Sequence, residues 1–273
     1  MQSTFRRRSV LTLSAGAAAA ACIAAAVAGG WLIGADGLST HLEARNLPPS
    51  AAHWFGTDWL GRDMLARTVK GLGLSIAVGL LGAASSSLIA AVLGTVAATM
   101  GRTADRIVTW LIDLFLSVPH LVTLILIAFV CGGGLKGIVI GIACTHWPSL
   151  ARLLRAELLQ IRSADYVLAA RRLGRSRLAI AVEHMMPQVL PQLLVGMLLM
   201  FPHAILHEAA ITFIGLGLSP HQPAIGIILS ESMRYLSTGM WWLAFFPGLC
   251  LLLVVRSFDT LGGLAKRLTD TKG

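Results

Sequence analysis

Residues 164–191 read ADYVLAARRLGRSRLAIAVEHMMPQVLP, a basic, helix-forming stretch in a chain that is otherwise largely apolar. Gly174 divides it into two helical pieces, and the second piece runs to Pro187. The apolar residues of the first piece recur at helical spacing and predict one stripe along a helix: Val167, Leu168, Ala170 and Leu173. Four arginines border that stripe: Arg171, Arg172, Arg175 and Arg177. Two interpretations are open, a helix–turn–helix that docks into a groove on another protein and a basic linker that holds anionic lipid.

The composition of the whole chain is that of a membrane protein. Hydrophobic residues make up 56% of the 273 residues, charged residues make up 13%, and the mean hydropathy is +0.75. A soluble protein of this length needs more polar surface, so the sequence predicts an all-α membrane protein with six spans. The cysteines are isolated in apolar surroundings and form no CxxC pair, so neither a disulfide framework nor a zinc knuckle is expected: Cys22, Cys131, Cys144 and Cys250.

The amino-terminal segment, residues 1–35, contains three arginines followed by an uncharged run that is long enough to cross a bilayer. A twin-arginine or lipoprotein signal is the alternative, because the alanines before Cys22 imitate a lipid-attachment site. A retained first span is the favoured prediction, since the rest of the chain is also membrane protein. Residues 36–70 are predicted to form an extracytoplasmic loop, with a turn held by charge pairing of Asp58 and Asp63 around Arg62.

A core of five further spans is predicted over residues 71–265, and a cytoplasmic tail over residues 266–273. The spans are expected at 71–101, 107–135, 137–151, 188–207 and 235–255. Pro119 should kink the span at 107–135, in which Asp113 and His120 are seven residues apart and are expected on one helix face. Glycines and prolines in 209–230 predict a partly inserted loop that lines a cavity. The stretch 152–187 is the predicted cytoplasmic loop.

The positive charges follow this arrangement of spans. Sixteen of the 22 lysines and arginines fall in segments that six spans with a cytoplasmic amino terminus would place in the cytoplasm. The others are expected outside: Arg45, Arg62, Arg67, Lys70, Lys136 and Arg234. This distribution obeys the positive-inside rule and predicts that both termini are cytoplasmic. It also explains the net charge of +9 without nucleic acid as a partner.

The stretch 164–191 resembles the EAA loop of permease subunits in bacterial ATP-binding-cassette (ABC) importers. Ala169, Ala170 and Gly174 occupy the positions where that motif has Ala, Ala and Gly, and Leu168 replaces its Glu. Further stretches resemble the dipeptide, oligopeptide and nickel branch of the family and occur in its order: Gly56-Thr57-Asp58 with Gly61-Arg62-Asp63, Asp165 to Ala170, and Phe213 with Gly215-Leu216-Gly217 before Pro220 and Pro223. Together these stretches cover the chain from about His53 to its end.

The resemblance implies a type I ABC importer permease fold and a set of partners. A second, homologous permease subunit would complete the pore, two cytoplasmic ATPases would bind beneath it, and a substrate-binding protein would dock outside. The residues implied in coupling to the ATPases are Asp165, Leu168, Ala169, Ala170 and Gly174. The chain contains no GxxxxGK[ST] phosphate loop, so ATP and magnesium are expected to be used by the partners. No cofactor bound by this chain is predicted.

Ionisable residues within or beside the predicted spans are candidates for the substrate path: Asp113, His120, His146, His203, His207 and Glu208. An ionisable side chain at membrane depth is costly, by roughly 2.5–3.5 kcal/mol for Asp, so Asp113 and Glu208 are expected to face a pore or a partner. His203 and His207 are four residues apart and form the candidate metal pair. The alternative is that the histidines are neutral and hydrogen-bonded between helices.

Nickel or a metal chelate is the first prediction for the cargo, and dipeptides or oligopeptides are the second. The segments around His146 and around His203 to His207 look closer to nickel permease subunits than to peptide ones. An intramembrane enzyme using Asp113, His120, His207 and Glu208 is a different possibility, but the chain has neither HExxH nor a paired-aspartate protease motif. A channel that works without ATP is a further rival, and the EAA-like stretch argues against it.

Overall fold

The computed structural model describes residues 2–33 and 38–270, and the side chains of residues 13–33 and 38–269. Helices joined by loops make up these ranges, which contain no β-strand, so the all-α prediction is confirmed. The helices are α1 Gln2–Leu32, α2 Met64–Thr99, α3 Arg102–Ser117, α4 His120–Val130, α5 Gly134–Ile161, α6 Asp165–Arg172, α7 Arg177–Ile180, α8 Met186–Phe213, α9 Ile225–Leu236 and α10 Trp242–Asp270. One π-helical turn, Ala181–Met185, joins α7 to α8.

Within the residues that the structure describes, five helical segments are long and apolar enough to cross a membrane: Leu13–Leu32, Met64–Thr99, Gly134–Ile161, Arg177–Phe213 and Trp242–Thr269. The pair α3 and α4 passes the same test together and is bent by 100°, which makes six spans if the pair is counted as one. The predicted number of spans therefore agrees with the structure when the bent pair is a broken span.

The break between α3 and α4 corrects one prediction about Asp113 and His120. Helix α3 ends at Ser117, and Val118 adopts an extended backbone, which a residue before proline prefers. Pro119 then precedes the first turn of α4, and it lacks the amide hydrogen that a continuing helix would use. The predicted kink is therefore a 100° bend between two helices. Asp113 and His120 lie on different helices, so they do not share one helix face.

Several helices extend beyond the apolar runs from which the spans were predicted. Helix α2 begins at Met64 because Asp63 caps it, with a carboxylate oxygen that accepts a hydrogen bond from the backbone N–H of Ala66 at 2.9 Å. Residues 64–70 of the predicted loop are thus helical. Helix α10 continues to Asp270 through most of the predicted tail. The last three residues, 271–273, lie outside the described range.

Helix α2 lies at the centre of the bundle and packs against α5 and α8 through small residues. The position where Gly82 would carry a Cβ atom is 2.7 Å from the side chain of Ile142, and the corresponding position at Gly94 is 3.2 Å from the carbonyl oxygen of Ala151. Such close approach lets helix backbones pack tightly where lipid gives no hydrophobic drive for association.

Different segments of the chain meet at the two ends of the bundle. At one end, the turn between α2 and α3 meets the basic stretch, since Arg162 donates to the carbonyl oxygen of Ala98 at 3.0 Å. Gly16 of α1 lies against Leu264 of α10, so the amino-terminal half of α1 is beside the carboxyl-terminal half of α10. At the opposite end, the loop before α2 packs on α9 and α10, where the rings of Phe55 and Phe246 stack at 4.6 Å.

The stretch 209–230 is more helical than predicted. Helix α8 continues to Phe213 and α9 begins at Ile225, so the non-helical part is confined to residues 214–224. Helix α9 buries Ile225, Ile227 and Ile228 against the core, which explains why its first turns are apolar.

Candidate functional site

The basic stretch forms a helix–turn–helix at the end of the bundle. Val167 and Ala170 are buried in the core of that end together with residues of α2 and α5. Leu168 is 39% exposed and Leu173 is 84% exposed, so the single apolar stripe predicted from the spacing was wrong. The helix divides its apolar residues between a face that anchors it to the bundle and a face that is open. The open face thus combines exposed leucines with the arginines of the same stretch.

The turn after α6 depends on Gly174, whose φ is +81°. The backbone N–H of Arg175 donates to the carbonyl oxygen of Ala170, and that of Gly174 donates to the carbonyl oxygen of Arg171. This pattern is a Schellman cap, which needs a left-handed residue that glycine adopts without steric cost. Ser176 then caps α7, since its hydroxyl accepts a hydrogen bond from the N–H of Ala179 at 3.1 Å. The sequence therefore builds a defined turn here.

A cavity of about 340 Å³ lies between this turn and the end of α2. Its lining includes four arginines, Arg162, Arg171, Arg175 and Arg177, beside Val167, Ile180 and Met185. Arg177 donates to the carbonyl oxygen of Met100, and Arg175 lies 3.6 Å from the carboxylate of Glu183. The cavity combines positive charge with an apolar floor, and this arrangement suits an acidic or amphipathic side chain of a partner.

Asp113 is exposed on α3 and forms an ion pair with Arg152 of α5 at 2.7 Å. A second pair joins the same two helices one to two turns away, where Asp105 accepts from Arg155. Asp113 is thus the partner of a basic residue of this chain, and Arg152 falls within α5, beyond the span predicted to stop at residue 151.

Three histidines from three helices meet inside the bundle. His120 of α4, His146 of α5 and His207 of α8 each offer a ring nitrogen within 4.8 Å of the others. The ring centroids of His120 and His146 are 4.4 Å apart, and His146 Nε2 lies 3.1 Å from His207 Nδ1. All three residues were candidates for the substrate path. Their assembly was not predicted, because it depends on how α4, α5 and α8 are rotated against one another.

His203 and Glu208 are placed differently from their predicted roles. His203, one turn before His207, is exposed and lies outside the group of three histidines. Glu208 is completely buried and accepts a hydrogen bond from the hydroxyl of Thr212 at 2.9 Å. It therefore faces the interior of this chain, whereas a pore or a partner was expected.

A buried charge network fixes the opposite end of the bundle. One carboxylate oxygen of Asp58 accepts from the guanidinium groups of Arg62 and Arg67, both at 2.7 Å, and its other oxygen accepts from the backbone N–H of Leu60 and of Arg62. Arg67 also donates to Glu231 of α9 at 2.8 Å. The local pairing of Asp58 with Arg62 confirms the predicted turn. The link to Glu231 was missed because it spans 164 residues of sequence.

These features define a class: a multi-span membrane protein with an open, basic helix–turn–helix at one end and a charge-braced loop at the other. The sequence profile of the binding-protein-dependent transport system inner membrane component family matches residues 90–269. The chain belongs to this family, and it is a permease subunit of an ABC importer in the inner membrane. In importers of this family, separate ATPase subunits hydrolyse ATP.

Two relatives illustrate the similarity. The dipeptide transport system permease protein DppC of Bacillus subtilis is 35% identical over 85% of this chain and 72% of its own length. The probable D,D-dipeptide transport system permease protein DdpC of Escherichia coli is 36% identical over 89% of this chain and 81% of its own length. Both are named for dipeptides, and neither name mentions nickel, which was the first prediction for the cargo.

A solved structure shares the fold. The MetNI methionine ABC transporter in an inward-facing conformation contains a chain that superimposes with a TM-score of 0.61, covering 76% of this chain and 97% of that one. The two sequences are 17% identical, so the likeness concerns the fold alone. It confirms the predicted type I ABC importer permease fold.

Proposed function

We propose that the chain forms, with a second permease subunit, the membrane pore of an importer for dipeptides or oligopeptides. The observation that carries this proposal is the similarity to dipeptide permeases over most of the chain. It favours the second of the two predicted cargoes and replaces nickel or a metal chelate as the first. Of the histidines that suggested nickel, His120, His146 and His207 lie between helices of one chain, and His203 is exposed.

The exposed face of α6 and the turn at Gly174, called the docking surface here, support a role in coupling transport to ATP hydrolysis. One of the two cytoplasmic ATPases would bind at α6 and the following turn, where Leu168 and Leu173 are open and Asp165, Ala169 and Gly174 are exposed. The anchored residues Val167 and Ala170 would pass the movement of the ATPases to α2 and α5. In this arrangement the end of the bundle that carries α6 and both termini would lie in the cytoplasm. The loop before α2 would then face an external substrate-binding protein.

Asp113 and Arg152 support the position of the second permease subunit. Both side chains are more than half exposed on this chain, yet they lie on α3 and α5, which the bundle places within the spans. Facing lipid would be costly for such a pair. We infer that α3 and the adjoining face of α5 turn towards the second subunit or the pore between the subunits.

The test is uptake by the complete importer in lipid vesicles, containing both permease subunits, the ATPases and the binding protein. A labelled dipeptide and a nickel–histidine chelate would be compared as cargo, with ATP enclosed on the ATPase side. We expect ATP-dependent accumulation of the dipeptide and none of the chelate. The control is the same complex with ADP, which should accumulate neither compound.

Accumulation of the chelate alone would contradict the proposed cargo and leave the permease assignment intact. Equal accumulation of the dipeptide with ADP and with ATP would contradict ATP coupling, because an ATP-independent channel would behave in this way.

A further inference from the structure

The group of three histidines has the composition of a metal-binding site. Imidazole nitrogens are good ligands for Zn²⁺, Co²⁺, Ni²⁺ and Cu²⁺, and three of them leave a fourth coordination position open. We propose that His120, His146 and His207 together bind one divalent transition-metal ion within this single chain. The site differs from the pair His203 and His207 expected from sequence, and it does not depend on the proposed peptide cargo.

Small residues of α5 let α4 pack closely against it, which brings His120 near His146. Gly137 and Gly141 face α4, and their Cβ positions would be 2.5 Å from the carbonyl oxygen of Ala128 and 3.2 Å from that of Leu124. Each step of four residues along α5 matches a step of four back along α4, because the helices are antiparallel. The next step in this series pairs His120 with Thr145, the residue before His146, so the packing of the two backbones brings the imidazole rings of His120 and His146 together, with centroids 4.4 Å apart.

The hydrogen bonds of His146 leave the correct nitrogen free for a metal. Its Nδ1 lies 3.2 Å from the carbonyl oxygen of Ile142, a contact that requires Nδ1 to carry the proton and donate. The lone pair of His146 is then on Nε2, which points at His207 Nδ1 at 3.1 Å. A histidine that donates one ring N–H to a backbone carbonyl while its other nitrogen faces a ligand has the usual arrangement around a protein-bound metal.

His207 and His120 supply the other two donors. Without metal, His207 Nδ1 donates its proton to His146 Nε2, and with metal that proton moves to His207 Nε2 and frees Nδ1 as a ligand. His120 Nε2 is buried and has no hydrogen-bond partner among the residues that the structure describes. An unpaired buried nitrogen beside two other imidazoles is the feature that an ion would satisfy.

The donor set selects the class of metal and its role. All three donors are imidazole nitrogens, whereas Mg²⁺ and Ca²⁺ take oxygen ligands, so these hard cations are disfavoured. The ligands come from α4, α5 and α8. A bound ion therefore ties the bent helix pair to the central bundle, and it is a resident ion with no need to move with the cargo.

The test measures metal bound to the complete importer, purified in lipid nanodiscs after treatment with a chelator and dialysed against Co²⁺ or Zn²⁺. We expect the wild-type complex to retain one ion more per copy of this chain than the triple variant H120Q/H146Q/H207Q. Cobalt should give the visible absorption bands of a nearly tetrahedral ion. His146→Gln should weaken binding on the order of 10–100-fold or more.

His203→Ala is the matched control, because it removes a histidine one turn from His207 that lies outside the group. It should bind as the wild type does. X-ray absorption of the zinc-loaded wild type supplies a measurement that needs no variant, with three imidazole nitrogens expected at about 2.0–2.1 Å.

Three results would overturn the proposal. They are equal metal content in the wild type and the triple variant, loss of the ion in His203→Ala, and a zinc spectrum with fewer than three imidazole ligands. Peptide uptake is measured separately, so failure here leaves the proposed function untouched, and failure of peptide uptake leaves the metal site standing.

Discussion

Arg67 shows what a single buried charge does in this molecule. Its side chain is 4% exposed and is neutralised by Asp58 from the preceding loop and by Glu231 from α9. A buried guanidinium without its carboxylates would be strongly unfavourable, so the loop, the start of α2 and α9 are held in one arrangement. The network thus fixes the end of the bundle that carries the loop before α2.

Asp58→Ala should lower the stability of the chain by about 3–5 kcal/mol, because Arg67 and Arg62 would lose a buried carboxylate. Two backbone N–H groups, those of Leu60 and Arg62, would also lose their hydrogen-bond acceptor. The measurement is the thermal midpoint of the purified complex in detergent.

Asp259→Ala is the control for this change. Its pair with Arg256 is 3.8 Å long and exposed, so its loss should change the stability by less than about 1 kcal/mol. Similar midpoints for the two variants would show that the network contributes little.

The sequence could predict only half of this network. Asp58 and Arg62 are four residues apart in a turn, and such local pairs follow from spacing. Arg67 was expected in an external loop and Glu231 had no expected partner, since nothing in a single sequence indicates that α9 packs against the start of α2. Contacts between distant segments depend on the packing of the whole bundle.

The packing of α4 against α5 illustrates what small residues do for whole elements. Gly137→Val should lower stability by roughly 1–3 kcal/mol, because its Cβ would meet a backbone carbonyl that cannot rotate away. The displaced α4 should also carry His120 away from His146, which a cysteine pair placed across the two helices would report as slower crosslinking.

Gly263→Val is the comparison for that variant. It is a helical glycine of α10 whose Cβ position has no heavy atom within 4 Å, so we expect little change in stability. An equal loss of stability in both variants would point to an effect of helix propensity or membrane insertion. It would contradict the claim that the close approach of α4 to α5 requires a glycine at position 137.

At the level of elements, the apolar runs predicted the spans well and their ends poorly. Hydropathy detects the part of a helix that lipid surrounds, whereas α2 and α10 extend beyond it through a capping aspartate or a polar face. Pro119 predicted a kink, but the 100° angle depends on the helices that receive α4. The histidine spacing predicted a pair on α8, and the rotation of three helices instead brought together one histidine from each.

Across the whole molecule, the turn at Gly174 is the proposed link between ATP hydrolysis and transport. Gly174→Val forces a β-branched residue into the left-handed region, at a cost of roughly 1–2 kcal/mol, and should misplace the exposed face of α6. We expect transport per ATP hydrolysed to fall severalfold while the complex still assembles. The measurement is the ratio of uptake to ATP hydrolysis in vesicles.

Gly239→Val applies the same strain at the other end of the molecule. Gly239 also has a positive φ, +86°, and no heavy atom near its Cβ position, but it lies in the turn before α10. It should leave the ratio of uptake to ATP hydrolysis unchanged. An unchanged ratio in Gly174→Val would contradict the role of α6 in coupling.

The π-helical turn at Ala181–Met185 changes the angular phase of the long segment that contains it. Ile180, Met185 and Val189 are all buried, and they are five and then four residues apart. The first step fits the wider π turn and the second fits an α-helix. A helical wheel at about 100° per residue drawn through the whole segment would therefore misplace every side chain on one side of the turn. Deleting one residue from the π turn would restore the α-helical phase. It would also rotate α6 and α7 about the axis of the span by about 100°.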